Sequence, residues 1–232
     1  MKPIPQRQRR SRSDKNRSRQ RGIDAQQRLL NAGLRVFAVT SYRAASIREI
    51  SRLAGTNVAA IRYHFGGKLE LFKAVAAHVA EKERDRQPLP PASCALFSRV
   101  EAAAQLHHTM RDFMLLVLQP GMEPYSRFLF QQFFDGGLGF QILHREVLNT
   151  RVTKIATLLA RLANLPDSTP FIRLQALALI GEVVIFRFGK LLVLKTLAWR
   201  DYNAEALTLI ESVIHARVKE IIDHPKTSAS GI

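Results

Sequence analysis

The residues best suited to chemistry form a short polar stretch in the first third of the chain. It contains guanidinium, phenol, imidazole and ammonium groups, all of which donate hydrogen bonds. On a helix these side chains lie around the outer surface, while Ile61 and Phe65, one turn apart, face inward. The outward set is Ala59, Arg62, Tyr63 and His64, and Lys68 begins the next helix. Donors of this kind suit phosphate oxygens and the edges of bases, so the stretch predicts contact with nucleic acid.

Two short helices must position that outward set, and residues 46–71 contain signals for both. Ser46 and Glu49 have the spacing of a capping box, which begins a helix. Gly55 stands where the end of that helix needs a positive φ, and Asn57 can cap a second helix two residues later. The pattern predicts a DNA-binding helix-turn-helix. A glycine between two amphipathic helices also occurs in proteins that never contact nucleic acid, so the turn alone is weak evidence.

At these residues the sequence resembles a known family. AGTNVAAIRYHFGGKLEL, residues 54–71, resembles the recognition-helix signature of TetR-type transcriptional repressors, and RLLNAGLRVFAVTSYRAAS, residues 28–46, resembles their first helix and turn. Farther along, LIGEVVIFRFGKLLVLKTLAW resembles the CecR-like branch. Three positions depart from the pattern. Gly33 replaces a usual alanine, Ser41 replaces a common turn glycine, and Arg62 stands where the family usually has tyrosine or, in that branch, asparagine. The resemblance implies a three-helix DNA-binding domain followed by a larger helical domain for effector binding and dimerisation.

The charge of the chain is concentrated at its N-terminus. The net charge is +16, and residues 1–22 carry nine Lys/Arg against one Asp. A basic balance without an apolar anchor favours a nucleic-acid partner over a membrane. Because these residues have almost no apolar content, we expect them to be disordered in isolation. They are either an arm that lies along DNA or a solvated tail, and composition does not choose between the two.

Several functional classes are excluded or disfavoured by composition. Cys94 is the single cysteine, which excludes an intramolecular disulfide and fits a reducing cytoplasm. The basic N-terminus lacks the apolar run of an export signal, and the apolar stretch 174–188 is too short and polar to span a bilayer. No spaced Cys/His cluster, nucleophile motif or phosphate-binding loop is present. We therefore expect no enzyme activity, no metal and no cofactor.

The remainder of the chain reads as helix throughout. The predicted helices cover 23–39, 93–118, 125–135, 140–163, 171–199 and 203–223, in addition to the helix-turn-helix and a helix that begins near Lys68. No alternating strand pattern appears, so the predicted fold is all-α. The predicted organisation is a basic arm at 1–22, a helix-turn-helix domain at 23–70, an effector-binding and dimerisation domain at 71–224, and a frayed tail at 225–232.

The helix predicted at 171–199 is apolar on two sides. One stripe contains Leu177, Ile180, Val184, Phe188 and Leu191, and another contains Leu179, Val183 and Phe186. A helix of this kind needs two partners, and a second subunit can supply one of them. We assign this helix and 203–223 to a homodimer interface, with a fully buried helix in a monomer as the alternative.

A cluster of aromatic residues between Phe128 and Phe140 indicates an effector site. Apolar walls with a few polar groups are typical of small-molecule sites, although they also describe an ordinary aromatic core. Glu182, inside an apolar helix, must find a cation, water or ligand, or face solvent. The predicted ligand-binding residues are Arg127, Phe128, Gln131, Phe134 and Glu182.

These observations together predict a ligand-responsive repressor. It would act as a homodimer on double-stranded DNA at a palindromic operator and be released by a small apolar effector. The predicted DNA-binding residues are Ser46, Asn57, Ala59, Arg62, Tyr63, His64 and Lys68. The alternative is a non-specific or architectural nucleic-acid-binding protein, in which the basic arm is the main device and the helix-turn-helix is incidental.

Overall fold

The computed structural model describes residues 12–86 and 97–225, and within them every regular element is helical. The helices are α1 (Arg12–Phe37), α2 (Ile47–Leu53), α3 (Val58–Phe65), α4 (Lys68–Arg86), α5 (Arg99–Leu118), α6 (Glu123–Asp135), α7 (Leu138–Leu143), α8 (Asn149–Ala163), α9 (Pro170–Phe188), α10 (Lys190–Thr196) and α11 (Ala204–Asp223). A π-helical segment, His144–Leu148, joins α7 to α8. The all-α prediction is confirmed. The chain divides into two compact units between His78 and Val79, inside α4.

The smaller unit packs α1, α2 and α3 around one apolar core. Leu29, Phe37, Ile50 and Ile61 are each at most 2% exposed. Ile61 therefore faces inward as predicted, because the apolar positions of these helices recur at helical spacing. Nearer the N-terminus of α1, Ile23 is half exposed, so the buried side of this helix begins at Leu29.

The helix α1 begins earlier than predicted. It starts at Arg12, so residues 12–22, which were expected to be disordered in isolation, are helical in the structure; residues 1–11 lie outside the described residues. Arg, Lys and Gln are good helix formers, and turns anchored in the core propagate outward at low cost. The Gln20 amide also donates to the Asp24 carboxylate at 2.9 Å, one helical turn away.

The glycine at position 33 has a structural reason. A Cβ added to Gly33 would lie 3.0 Å from Cγ2 of Val75 and 3.7 Å from Leu71, both on α4. Contact at that distance is tighter than ordinary van der Waals packing, so α1 and α4 approach each other where only glycine fits without a shift. The departure from the alanine usual at this position therefore permits close helix packing.

The larger unit is built on α5, α8 and α9, with α11 packed along α5. Its core includes Leu106, Met110, Ile155, Ile172, Ala176, Leu179, Val183, Ile210, Ile214 and Val218. A complete capping box begins α5, because Ser98 accepts from the Glu101 backbone N–H at 3.2 Å and the Glu101 carboxylate accepts from the Ser98 N–H at 2.7 Å. The predicted start at 93 lies outside the described residues, and the described helix starts at Arg99.

Two predicted long helices are interrupted. The helix expected at 140–163 contains the π-helical segment, and the one expected at 171–199 ends at Phe188 and restarts at Lys190. Gly189 lies at the interruption of the second helix. A Cβ there would lie 2.7 Å from the carbonyl oxygen of Ile185, so a side chain at this position would clash with the preceding helical turn. The helix predicted at 203–223 is confirmed as α11.

No helix in the described ranges combines the length and apolar content needed to cross a bilayer. Within the same part of the chain, no three His, Cys, Asp or Glu side chains converge as a metal site would require.

Candidate functional site

The first element that positions the polar stretch is α2. Ser46 caps it, because its hydroxyl accepts from the Glu49 backbone N–H at 3.5 Å. Only this half of the predicted capping box forms, since the Glu49 carboxylate makes no return bond within the described residues. Ile50 is fully buried, whereas Leu53 is 44% exposed. Of these two apolar residues, only Ile50 anchors α2 in the core.

A tight turn follows α2. Gly55 has φ +63°, the left-handed conformation predicted for it. The Thr56 N–H donates to the Ser51 carbonyl at 2.9 Å and the Gly55 N–H donates to the Arg52 carbonyl at 3.2 Å. This pair of bonds is a Schellman motif, which satisfies carbonyls at the end of a helix and reverses the chain. In addition, the Arg28 guanidinium of α1 donates to the Ala54 carbonyl at 3.1 Å and fixes the turn to α1.

The second helix, α3, carries the outward set. Asn57 caps it as predicted, with its Oδ1 accepting from the Ala60 backbone N–H at 2.9 Å. Gly66, with φ +84°, ends it after two turns. Ala59 and Arg62 are exposed, and Tyr63 is 86% exposed. The Tyr63 ring and hydroxyl are therefore accessible for contact with a partner molecule.

The remaining two predicted residues are held more closely. His64 is half-buried, and its ring meets the Tyr63 ring edge-on at 4.9 Å between centroids. Lys68 begins α4, where its Nζ donates to the Arg43 carbonyl at 3.1 Å and lies 4.9 Å from the centroid of the Tyr42 ring. An ammonium has three donors, so Lys68 can anchor the loop before α2 and still reach a phosphate.

The structure adds two cations that sequence reasoning missed. Arg43, in the loop before α2, and Arg48, in the first turn of α2, are both exposed on either side of Ser46. Their signal in the sequence was a basic residue on each side of a helix N-cap. A helix N-terminus attracts anions, and flanking cations strengthen that attraction for phosphate.

In the larger unit, a cavity of about 550 Å³ lies between α6, α9 and α10. It is lined by Glu123, Ser126, Arg127, Phe130, Arg187, Phe188, Lys190, Leu191, Leu194, Arg200 and Asp201. The Phe130 and Phe188 rings stack with centroids 4.3 Å apart and planes 22° apart. The volume falls in the range of small-molecule sites.

Of the five predicted ligand-binding residues, only Arg127 lines this cavity. Phe128 is fully buried, whereas Phe134 is 74% exposed. Positions six apart on a helix lie on different faces, so α6 cannot direct both rings to one site. The structure therefore does not bring the predicted set together.

Gln131 and Glu182 have other partners. The Gln131 amide donates to the Asp135 carboxylate on the same helix at 3.2 Å. Glu182 accepts from Arg217 Nε on α11 at 3.1 Å, so Arg217 is the cation that a carboxylate inside an apolar helix was expected to need. Both side chains of this ion pair are about 40% exposed, so it contributes little stability.

Arg187 is the principal polar connection between α5, α6 and α9, and its side chain is 10% exposed. Its guanidinium donates to the Val117 carbonyl at 2.6 Å, to the Gln119 carbonyl at 2.8 Å and to the Glu123 carboxylate at 3.1 Å. The pKa of Glu123 is lowered, first by a bond from its own backbone N–H and then by the nearby Arg187, against the opposing effect of desolvation. This arrangement fixes one wall of the cavity.

A second cavity, of about 370 Å³, lies between α5 and α11. The His107 and His215 rings stack there with centroids 4.2 Å apart. Burial, followed by the nearby His215 and Lys219, lowers the pKa of His107. A neutral imidazole at His107 is therefore favoured in the folded protein.

The two apolar stripes predicted for the helix at 171–199 are not separated cleanly in the structure, because Ile180 and Val184 of one stripe and Phe186 of the other are all partly buried against the core. Leu179 and Val183 are buried in the core, whereas Leu174, Leu177 and Ile185 are 63%, 50% and 46% exposed. Exposed Leu191, at 83%, continues the apolar surface on α10. On α11, Leu209 and Val213 are likewise about half exposed.

The described fold, with a capped α3 presenting polar side chains after a glycine turn, defines a helix-turn-helix DNA-binding protein. Comparison with protein families agrees. The model of "Bacterial regulatory proteins, tetR family" matches residues 29–75. The model of "HTH-type transcriptional dual regulator CecR, C-terminal domain" matches residues 102–223, which is more than half of the chain.

Individual proteins are also similar. The transcriptional dual regulator CecR of Shigella flexneri is 26% identical over 215 residues, covering 87% of this chain and 93% of that protein. The regulator SrpR of Pseudomonas putida is 39% identical over 54 residues, covering 23% of this chain and 25% of SrpR. A crystal structure of a transcriptional regulator from Rhodococcus sp. Rha1 has a TM-score of 0.58 at 19% identity, covering 84% of this chain and 96% of that one.

The chain therefore belongs to the TetR family of regulators, in the group that carries the CecR C-terminal domain. It is a DNA-binding transcriptional regulator of a non-enzymatic family.

Proposed function

We propose that the protein is a cytoplasmic, ligand-responsive repressor that binds a palindromic operator as a homodimer. The observation that carries this proposal is the outward face of α3. It places Arg62 and the 86% exposed Tyr63 on a short helix fixed at both ends by an asparagine cap and a left-handed glycine. A helix so held has the length and rigidity to enter a major groove.

The proposed DNA contacts divide by chemistry. Ala59, Arg62, Tyr63 and His64 face base edges, while Ser46, Asn57 and Lys68 lie at helix ends, where phosphate contacts are usual. Each protomer supplies one such helix. A two-fold dimer would present a pair of them to successive major grooves, which is why the operator should be palindromic.

Selection from a randomised operator library tests this reading. We expect a two-fold symmetric consensus and a preference over bulk DNA of at least about 10³-fold at physiological salt. A non-specific or architectural protein would instead give no consensus and little preference. That outcome would overturn the repressor assignment.

The dimer proposal rests on the exposed apolar stripe of α9. Leu174, Leu177 and Ile185 would leave a contiguous apolar patch in water if α9 had no further partner. Gly181 lies between them and is exposed, and a Cβ added there would meet nothing within 4 Å. Glycine in a helix interior costs about 1 kcal/mol, and the protomer itself gives no reason for it. Close approach of a partner helix is such a reason.

Gly181→Trp tests the dimer directly, because the protomer has room for the new side chain and a partner helix would not. We expect the wild-type protein to scatter light at about twice the 26.2 kDa of the chain and the variant at the mass of one chain. Val100→Trp, at a 79% exposed position on α5, is the matched control and should remain dimeric. A wild-type protein that is a stable monomer at micromolar concentration would contradict the proposal.

The proposed response to effector is a population shift. A ligand in the larger unit would favour a dimer in which the two α3 helices are separated by a distance that fits the operator poorly. The shift can be no larger than the ligand's own preference for that state. Compounds that raise the melting temperature should therefore also release operator DNA, and stabilising ligands that never change DNA affinity would rule out the switch.

A further inference from the structure

The cavity between α6, α9 and α10 has an unbalanced charge. Four cationic and two anionic side chains line it, so two positive charges are unmatched. The acids are already engaged, because Glu123 accepts from Arg187 at 3.1 Å and Asp201 accepts from Lys190 at 2.5 Å. The bond from Lys190 also lowers the pKa of Asp201, which keeps that carboxylate ionised.

The two unmatched cations are Arg127 and Arg200. Neither guanidinium has a hydrogen-bond or ion-pair partner within the described residues, and both are exposed at the cavity. They come from different segments, Arg127 from α6 and Arg200 from the turn after α10. A guanidinium presents a planar set of donors that matches a carboxylate in a bidentate manner.

The turn that carries Arg200 is held in place by its neighbours. The Tyr202 hydroxyl donates to the Phe186 carbonyl at 2.7 Å, and Lys190 lies 5.1 Å from the centroid of the Tyr202 ring while it binds Asp201. The two residues that follow Arg200 are thus tied to α9 and α10. Such preorganisation reduces the entropy that a bound ligand must overcome.

Apart from Ser126, the rest of the cavity lining is apolar and partly aromatic. Phe130 and Phe188 form the stacked pair, and Leu191 and Leu194 complete the wall. An aromatic pair favours a flat ring stacked or set edge-on against it. The site therefore combines a surface for a flat apolar body with two donors for a negative head group.

We propose that this cavity binds an aromatic organic anion, with its carboxylate between Arg127 and Arg200 and its ring system against Phe130 and Phe188. This inference names the effector class of the proposed function. Binding of the anion does not require the proposed repressor function, whereas an effect of the anion on DNA binding rests on that function. The ligand differs from the purely apolar effector expected from the sequence because two guanidinium groups without partners favour a charged head group.

Titration calorimetry with 2-naphthoate and the uncharged 2-naphthamide tests the proposal on the full-length protein. We expect saturable binding of naphthoate at one site per chain and at least roughly tenfold weaker binding of the amide, as loss of a charged hydrogen bond predicts. Equal affinity for the two compounds, or no saturable binding of naphthoate up to millimolar concentration, would overturn the proposal.

Substitutions locate the site. Arg127→Gln and Arg200→Gln should each weaken naphthoate binding by about tenfold and leave the amide unchanged. Neither side chain has a partner to lose, so both variants should fold. Lys195→Gln removes an exposed cation from α10 that does not line the cavity, and it should bind both compounds as the wild type does. Wild-type affinity in both arginine variants would overturn the assignment.

A DNA-release assay separates this inference from the proposed function. Naphthoate that binds through both arginines without changing operator affinity would refute the switch and leave the site intact. Operator release by naphthoate that persists in both arginine variants would refute the site and leave the switch intact.

Discussion

The two candidate sites of this protein are assembled over different distances along the chain. The outward face of α3 comes from eight consecutive residues with a cap at each end. The cavity of the larger unit draws its walls from α6, α9, α10 and the turn that follows, across residues 123–201. The first site depends on local hydrogen bonds, whereas the second depends on side chains such as Arg187 that join distant segments.

This difference indicates where each site is vulnerable. A local site is lost when a cap or a turn residue is changed, and the loss should stay within its own unit. A site built by tertiary contacts is lost when a connecting side chain is removed, even one that touches no ligand. The following substitutions test that distinction, from the largest expected effect to the smallest.

Arg187→Ala should have the largest effect. It removes three charge-assisted bonds from a side chain that is 10% exposed and takes one donor from each of the Val117 and Gln119 carbonyls. We expect the free energy of unfolding of the larger unit to fall by about 2–4 kcal/mol, measured by urea denaturation. Arg145→Ala, which breaks an ion pair whose arginine is 75% exposed, is the control and should cost less than about 1 kcal/mol. Equal effects would show that the cavity does not depend on Arg187.

Arg62→Asn tests base reading by the local site. Its guanidinium is suited to guanine O6 and N7, so the variant should relax or change preference at one symmetry-related position of each half-site, by roughly 1–3 kcal/mol. Lys68→Ala should instead lower affinity for all sequences and make the salt slope shallower by about one unit. Selection from an operator library distinguishes these two effects. An unchanged consensus for Arg62→Asn would show that Arg62 contacts phosphate and does not read a base.

Two asparagine caps provide a matched pair, one in each unit. Asn57 accepts from the Ala60 N–H at 2.9 Å, and Asn203 accepts from the Ala206 N–H at 2.8 Å. Each Asn→Ala substitution should cost about 1 kcal/mol locally. By hydrogen exchange, Asn57→Ala should affect α3 and DNA affinity, whereas Asn203→Ala should affect α11 alone. Loss of DNA affinity in both variants would mean that the units are energetically coupled.

The smallest effect should be a pH dependence confined to the larger unit. Because the pKa of His107 is lowered from 6.5, the unfolded chain takes up a proton at a higher pH than the folded protein does. Stability should therefore be unaffected above pH 6.5 and decline as pH falls from there toward the lowered pKa. In urea denaturation across this range, His107→Gln should reduce the decline. If stability declined equally with falling pH in the wild type and the variant, titratable groups other than His107 would be responsible for the decline.

The sequence predicts local structure well where a single side chain satisfies a neighbouring backbone group. Gly55 and Asn57 act as predicted, and Ser46 forms half of its predicted capping box, because caps and left-handed turns depend on residues at most a few positions apart. The helical spacing of apolar residues likewise predicted two apolar sides of α9, and one of them, with Leu179 and Val183, is buried in the core. Its exposed side at Leu177 was also part of that pattern, although spacing alone does not say which side faces the core.

The sequence by itself thus determined the all-α class, the helix-turn-helix and its outward residues, since each follows from short-range periodicity and capping. Only the tertiary structure decided which polar groups meet in the larger unit. It paired Glu182 with Arg217 and placed Arg127 and Arg200 in the lining of one cavity, while it buried Phe128 and exposed Phe134. Those contacts join residues far apart in the chain, and helix packing sets such distances without leaving a local signal.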